Sequence, residues 1–295
     1  MAYKKGQAIM NAHLLRDPAG LQRFILESLV ERCGCESLFR SEPCDRVRSS
    51  SVMLLLGRQV VEESADPEIC VILNKRSKDV LQGGDLCCPG GTVNSRLDSY
   101  LARILALPGS PLSRWPLWPS LRERCPDEAG WLPRLLATAL RESWEEMRLN
   151  PFGIRFLGPL PSQCLIVFRR VIHPMVAWIT RQKRFILNWE VEKIVAIPLR
   201  SFLEYPNYGM YRLEVPPHLA WRLPGTDHEF PCFLYRHQDN QEVLWGVTYR
   251  IVLSLVEMIF GFTPPETGDL PRVHGALEEC YVQGRRNNAA HRTGC

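Results

Sequence analysis

The sequence predicts a mixed α/β fold in which a mixed β-sheet lies between helices. Apolar runs bounded by turn residues, which are typical of strands, occur at 52–56, 69–73, 171–179 and 230–235. Apolar residues at helical spacing predict a long helix over 135–149 and a second one over 251–259. This alternation of strand and helix patterns leads to the α/β class.

The length of the chain allows one large domain with extensions. It has 295 residues, of which 45% are hydrophobic, so it can bury a sizeable core. We expect an N-terminal helical extension over 1–50 and a main domain over 51–263. That domain contains an insertion at about 97–133. A polar tail follows over 264–295, which we expect to be disordered.

Composition argues against several classes of partner. The net charge of +4 is mild and no dense Lys/Arg run occurs, so we expect no nucleic-acid partner. The longest apolar stretch, 251–262, is too short to span a bilayer and contains Glu257, so we expect no membrane partner. No secretory signal opens the chain. The oligomeric state is open, and a homodimer is one alternative.

The cysteines indicate a reducing compartment rather than a disulfide framework. The chain has 11 cysteines without regular spacing. Neither Cys33-Gly34-Cys35 nor Cys87-Cys88 has the spacing of zinc ligands. We therefore expect most of them to be reduced, buried thiols in a cytoplasmic protein.

The N-terminal segment predicts one amphipathic helix. Asp17 can cap it, Pro18 suits its first turn, and Gly34 is a plausible stop. An apolar stripe then runs along it, formed by Leu21, Phe24, Ile25, Leu29 and Val30. We expect this stripe to dock on the chain's own domain, with partner binding as the alternative.

The helix over 135–149 carries the strongest candidate for chemistry. Pro133 suits a start just before it. Glu142, Glu145 and Glu146 stand at i, i+3 and i+4, so their carboxylates share one face. A cation there would remove the repulsion, and oxygen ligands suit Mg²⁺ or Mn²⁺. The alternative is a solvated acidic face with an Arg141–Glu145 ion pair.

A glycine-rich approach precedes this helix. It runs from Gln82 to Gly91 and follows Lys75-Arg76-Ser77 at the end of a predicted strand. Glycines allow the backbone to come close to a phosphate or a metal. Alone, two glycine pairs usually mean only turns.

Together these stretches resemble the two halves of the Nudix box. Arg141-Glu142, two residues, Glu145-Glu146, one residue, Arg148 and an apolar Leu149 resemble its second half, REUxEExGU, with Arg148 in place of Gly. Pro89-Gly90-Gly91 resembles its opening, and Asp98 resembles a displaced form of its acid. Gly91 and Arg141 are 50 positions apart instead of the usual 14, so about 36 residues are inserted.

Within that superfamily the chain resembles the coenzyme A pyrophosphatase-like branch. Leu73-Asn74-Lys75-Arg76-Ser77 and Gly84-Asp85-Leu86-Cys87-Cys88-Pro89-Gly90-Gly91 resemble its motifs, with Asp85 where Gln is usual and Cys88 where Phe is usual. The segment from Asn188 to Leu199 and Trp245-Gly246-Val247-Thr248 resemble later motifs of the branch. The resemblance covers about 52–260, but the substitutions leave the coenzyme A specificity open.

The resemblance implies an α/β/α sandwich and a Mg²⁺- or Mn²⁺-dependent pyrophosphohydrolase. Its small-molecule substrate would be a nucleoside diphosphate linked to another moiety, with coenzyme A or its thioesters as the first guess. The implied residues are Glu142, Glu145 and Glu146 as metal ligands, Arg141, Glu142 and Glu145 in catalysis, and Gly90 and Gly91 at the substrate. We also expect Arg76 to contact a phosphate, with a surface charge at the end of a strand as the alternative. Arg141 would orient a glutamate rather than touch the substrate.

Two alternatives remain open at this point. Arg148 must adopt a left-handed conformation to end the helix, or the helix must continue to Asn150-Pro151; the split box therefore also fits a non-catalytic binding or scaffold protein. The insertion contains six prolines and three tryptophans. It forms either a stiff wall of the substrate site, which we expect to tune substrate choice, or a loop packed away from the chemistry.

Overall fold

A computed structural model describes residues 10–33, 48–61, 66–165, 170–215, 228–237 and 240–276. In these ranges the chain forms two mixed sheets and five α-helices. The predicted mixed α/β class is confirmed. The predicted single sheet is instead divided into an eight-stranded and a four-stranded sheet.

The first sheet holds the candidate site. Its strands are β1 (Arg48–Gln59), β2 (Glu68–Arg76), β3 (Leu86–Cys87), β4 (Gly90–Thr92), β5 (Ile154–Pro159), β6 (Gln163–Leu165), β7 (Arg170–Ile179) and β8 (Val191–Pro198). They follow the order β3-β2-β1-β7-β5, while β4 pairs with β1, β6 with β7 and β8 with β2. The pair β1–β7 is parallel and the others are antiparallel.

The second sheet and the helices complete the fold. Its strands are β9 (Tyr208–Glu214), β10 (Glu229–His237), β11 (Asn240–Trp245) and β12 (Arg272–Ala276), in the order β11-β10-β9-β12. The helices are α1 (Pro18–Cys33), α2 (Leu97–Leu105), α3 (Trp118–Arg124), α4 (Pro126–Met147) and α5 (Gly246–Phe260). No helix in the described part of the chain is long and apolar enough to cross a membrane.

The predicted strands at 52–56, 69–73, 171–179 and 230–235 lie within β1, β2, β7 and β10. Pro174 lies in the interior of the first sheet, because β7 is paired on both sides. On one side its partner changes from β6 to β5, between Ile172 and Met175. The missing N–H of Pro174 is tolerated at this change of partner.

The N-terminal helix forms as predicted and packs into the main core. Asp17 Oδ1 accepts a hydrogen bond from the N–H of Gly20 at 2.9 Å. Leu21 and Ile25 are fully buried in the same cluster as the strands of the first sheet. The helix therefore docks on its own domain, as expected. Gly34, its predicted stop, lies outside the described residues.

The long helix α4 begins earlier than predicted. We expected a start after Pro133, but the helix starts at Pro126 and Pro133 lies inside it. Pro126 suits a first helical turn, and Asp127 and Glu128 there complement the helix dipole. These signals outweigh the one hydrogen bond that Pro133 cannot donate.

The insertion is mostly helical and not an irregular loop. It contains α2 and α3 as well as the first turns of α4. Six of its side chains belong to the main core, namely Leu105, Leu112, Trp115, Trp118, Leu121 and Leu132. Trp131, in contrast, is 51% exposed. The buried side chains show that the insertion contributes to the core, while its effect on substrate choice stays a prediction.

The C-terminal segment is partly ordered, so the expectation of a disordered tail is wrong for its first part. Arg272–Ala276 forms β12, which runs parallel to β9 with Arg272 opposite Met210 and Ala276 opposite Glu214. Residues 277–295 lie outside the described residues. A polar composition did not prevent pairing, because a strand at a sheet edge needs mainly backbone hydrogen bonds.

Candidate active site

The acidic face of α4 carries carboxylates with graded exposure. Glu146 is buried at 6% exposure, whereas the side chains of Glu142 and Glu145 are 20% and 46% exposed. The gradation follows from the helix docking on β1 and β4, because a residue nearer the sheet is more deeply covered. The face therefore runs from the interior to solvent within one helical turn.

The glycine pair of β4 lies directly against this face. The backbone of Gly91 contacts the carboxylate of Glu142 so closely that any side chain there would overlap it. Gly90 donates a backbone hydrogen bond to Glu146 and is packed equally tightly against the backbone of Ser51 and Val52. The predicted proximity of the two halves of the box is confirmed.

Glu146 is held in a polar but enclosed setting. Asn74, at the end of β2, donates from Nδ2 to Oε2 of Glu146 at 2.7 Å. Burial raises the pKa of Glu146 to about 7, although the positive charge of Arg76 and the bond from Asn74 oppose the shift. A buried carboxylate of this kind favours a nearby cation, which would stabilise its charged form.

Arg141 connects the remaining acids of the site. Its Nε lies 2.8 Å from Oδ1 of Asp98, and its Nη1 lies 2.9 Å from Oε1 of Glu142 and 3.3 Å from Oε2 of Glu145. The guanidinium also donates to the carbonyl of Thr92 at 3.4 Å. Burial raises the pKa of Glu142, and Arg141 opposes that shift. Arg141 thus contacts carboxylates, in agreement with the orienting role that the resemblance implied.

Arg76 lies at the edge of the site. Its Nε donates to the carbonyl of Leu81 at 2.8 Å, which fixes the side chain over the glycine-rich segment. Its charge acts on Glu146. The structure therefore brings Arg76 near the same carboxylate as Gly90.

A divalent cation fits part of this site. Among the described residues, no three His, Cys, Asp or Glu side chains are grouped to hold a metal ion, so the three predicted carboxylates do not form a ready cage. Glu142 and Glu146 nevertheless flank Gly90 and Gly91, and Mg²⁺ typically takes only one or two carboxylates besides water and phosphate. Asn74 Oδ1 is buried beside them without a hydrogen-bond partner among the described residues. That unpaired oxygen shows spare acceptor capacity at the site.

Two further titratable side chains of the first sheet are His173 in β7 and Cys87 in β3. His173 is buried, its Nδ1 lies 2.8 Å from Oγ of Ser162, and burial lowers its pKa to about 4. Cys87 is a free thiol, and burial raises its pKa to about 12, so the thiol is protonated at neutral pH. Six cysteines are free thiols, namely Cys70, Cys87, Cys88, Cys125, Cys164 and Cys232.

Asn74 belongs to one of the motifs of the sequence, but its role was not predicted. Its signal was a polar amide at the end of an otherwise apolar strand, because such a residue must find a buried partner. The partner, Glu146, is 72 positions away and could not be identified from the sequence alone.

Sequence similarity links this chain to one Nudix hydrolase. No family model matches the chain. Nudix hydrolase 22, chloroplastic, of Arabidopsis thaliana is 31% identical over 133 residues, covering 43% of this chain. The chain spans only 40% of that relative's length.

Two of the solved structures that match this chain share little sequence identity with it. A Nudix hydrolase from Nitrosomonas europaea is 10% identical, with 82% of this chain and 85% of that one covered and a TM-score of 0.35. RenU, a Nudix hydrolase from M. smegmatis, is 13% identical, with 52% and 72% covered and a TM-score of 0.32. The likeness to the Arabidopsis relative supports the resemblance of this chain to the Nudix hydrolase superfamily.

Proposed function

We propose that this chain hydrolyses the diphosphate bond of a nucleoside diphosphate linked to another moiety, with Mg²⁺ or Mn²⁺ as the cofactor. Coenzyme A and its thioesters are the first substrates to test. One observation carries the proposal: Glu142 and Glu146 lie on one face of α4 and both contact the Gly90–Gly91 backbone. The likeness to the Arabidopsis hydrolase supports the same reaction class.

The carboxylates and glycines would hold a cation, and that cation would bind the diphosphate of the substrate. Glu142 and Glu146 would hold the cation, and the carbonyl of Gly90 or Gly91 could complete the ligand set. When bound, the cation would reduce the charge repulsion between the diphosphate and an attacking water. Arg76, whose positive charge acts to lower the pKa of Glu146, would contact a phosphate.

Glu145 would act as the general base for the attacking water. Glu145 is the most exposed of the three, and Arg141 Nη1 holds it at 3.3 Å. It would accept a proton from the attacking water, whose oxygen adds to one phosphorus while the bridging P–O bond breaks. The bridging oxygen leaves with the other phosphate. Arg141 would position Glu142 and Glu145, and Asp98 would position Arg141.

The backbone conformation of Arg148 does not favour a non-catalytic protein. Arg148 was the reason to doubt the helix end, yet its backbone adopts the left-handed conformation, with φ 53° and ψ 40°. Its N–H bonds to the carbonyls of Ser143 and Trp144, and its guanidinium carbon stacks 3.9 Å above the Trp144 ring. The helix therefore ends where a glycine would end it.

The proposal is tested with the purified full chain and a panel of diphosphates that includes coenzyme A, an acyl thioester of it and several nucleotide sugars. We expect hydrolysis with Mg²⁺ or Mn²⁺ and none with EDTA. In H₂¹⁸O, one product phosphate should carry the label. Glu123→Gln, which changes an exposed residue of α3, serves as the matched control for the Glu146→Gln variant. Metal-independent hydrolysis, or no hydrolysis of any diphosphate, would overturn the proposal.

A further inference from the structure

Trp189 is a large apolar side chain that the fold does not cover. It is 66% exposed. Within the same segment, Phe185 and Leu187 pack against the main core, while Ile186 is 71% exposed. Trp189 makes no part of either apolar cluster of the described residues, so its size is not explained by core packing.

The backbone that carries Trp189 is a fixed tight turn. The N–H of Val191 donates to the carbonyl of Asn188 at 3.3 Å, which closes the turn around Trp189 and Glu190. The side chain of Asn188 accepts from the N–H of Glu190 at 2.9 Å, as Asn does in such turns. Trp189 is therefore presented on a pre-organised backbone.

Both sides of this turn are bonded to segments that carry residues of the candidate active site. The N–H of Asn188 donates to the backbone carbonyl of Glu146 at 2.9 Å. The N–H of Ser77, the residue after Arg76, donates to the carbonyl of Glu190 at 2.8 Å. The turn that carries Trp189 thus joins the end of α4 to the segment that follows Arg76.

We infer that Trp189 stacks on the nucleobase of the substrate, an inference that rests on the proposed function. A diphosphate held at Glu142 and Glu146 leaves its nucleoside beside the site, where a rigid aromatic plane is available. Every base has a π-face that an exposed aromatic ring can cover. A single exposed aromatic residue is common on protein surfaces, but the residues on either side of this one are bonded through their backbones to Glu146 and to Ser77, the residue after Arg76.

The test compares Trp189→Ala, Trp189→Phe and the matched control Ile186→Ala, which removes an exposed apolar side chain from the same segment. Each is assayed on an ADP-sugar and on a dialkyl diphosphate that has no nucleobase. Trp189→Ala should raise KM for the ADP-sugar about tenfold, as expected for the loss of one base-stacking contact. The KM for the base-free diphosphate and kcat for both should stay unchanged. Trp189→Phe should retain most of the affinity.

A binding measurement separates this inference from the proposed function. ADP is titrated calorimetrically into the wild-type chain and the three variants, and only Trp189→Ala should bind about tenfold more weakly. If the chain binds ADP through Trp189 but hydrolyses nothing, the proposed function fails and the stacking contact stands. Equal KM and equal ADP affinity in Trp189→Ala overturn the inference. So does a rise in KM for both substrates, or a change in oligomeric state without a change in KM.

Discussion

Arg141 Nε lies 2.8 Å from Oδ1 of Asp98, although the two residues are 43 positions apart in the chain. Asp98 is fully buried at the start of α2, and its other oxygen accepts from Oγ1 of Thr138 at 2.7 Å and from the N–H of Asn94. The insertion therefore does not separate the two halves of the motif. Its first helix packs on α4 and supplies the acid that positions the arginine.

Asp98→Asn should destabilise the protein by about 3 kcal/mol, because it removes the charge of a fully buried carboxylate and leaves Arg141 with only its more exposed partners, Glu142 and Glu145. The new amide would also direct N–H groups at donors. Urea denaturation measures the loss. Glu68→Gln breaks the more exposed ion pair with Arg200 and should cost less than about 1 kcal/mol. Equal losses in the two variants would mean that the Asp98–Arg141 pair has no special role.

Glu146→Gln should abolish most hydrolysis while the fold survives. The variant removes one anionic oxygen that the proposed cation needs, with little change in shape. Its new amide can donate to Asn74 Oδ1, which has no partner among the described residues, if the Asn74 amide rotates. Steady-state kinetics at saturating Mg²⁺ and a thermal melt measure the two effects. Activity within twofold of the wild type would contradict the role of Glu146.

The metal-free protein should lose stability as the pH rises from about 4.5 to 7. In that window folded Glu146, with its pKa of about 7, keeps a proton that the unfolded side chain, near 4.5, has released. The folded state binds more protons, so its free energy of unfolding falls with rising pH, by up to about 3 kcal/mol in total. Arg76 and Glu142 are the charged groups acting on this carboxylate.

His173 has the opposite effect between about pH 4 and 6.5, so the comparison must isolate Glu146. Urea midpoints of the wild type and Glu146→Gln are measured in EDTA across the range. The difference in stability between them should grow in favour of the variant up to about pH 7 and then level off. A difference that does not change with pH would show that Glu146 is ionised throughout.

The sequence predicted the elements better than their assembly. The strands and helices follow from apolar periodicity, which is a local property. The division into two sheets depends on which strands pair, as when β12 pairs in parallel with β9, and this is not encoded locally. The tail was misjudged for the same reason, since edge pairing of Arg272–Ala276 leaves little mark on composition.

The site could be predicted as far as its motif extends. The i, i+3, i+4 spacing placed the three glutamates on one face, and the resemblance paired them with Gly90 and Gly91. The graded burial of Glu142, Glu145 and Glu146 could not be foreseen, because it depends on how α4 docks on β1 and β4. The position of Trp189 could not be foreseen, because the turn that carries it is joined to Glu146 by a backbone hydrogen bond.

Trp115→Ala should destabilise the protein by about 3–5 kcal/mol, because the insertion is part of the core. Trp115 is 1% exposed, its ring lies 5.2 Å from that of Phe156, and its Nε1 donates to the carbonyl of Leu157 at 2.9 Å. Trp131→Ala, at an exposed position of the same insertion, should cost less than about 1 kcal/mol. Replacing 108–127 by a Gly-Ser linker should abolish cooperative thermal unfolding. If that replacement instead keeps the melting temperature and changes only the ranking of substrates, the insertion is a specificity element after all.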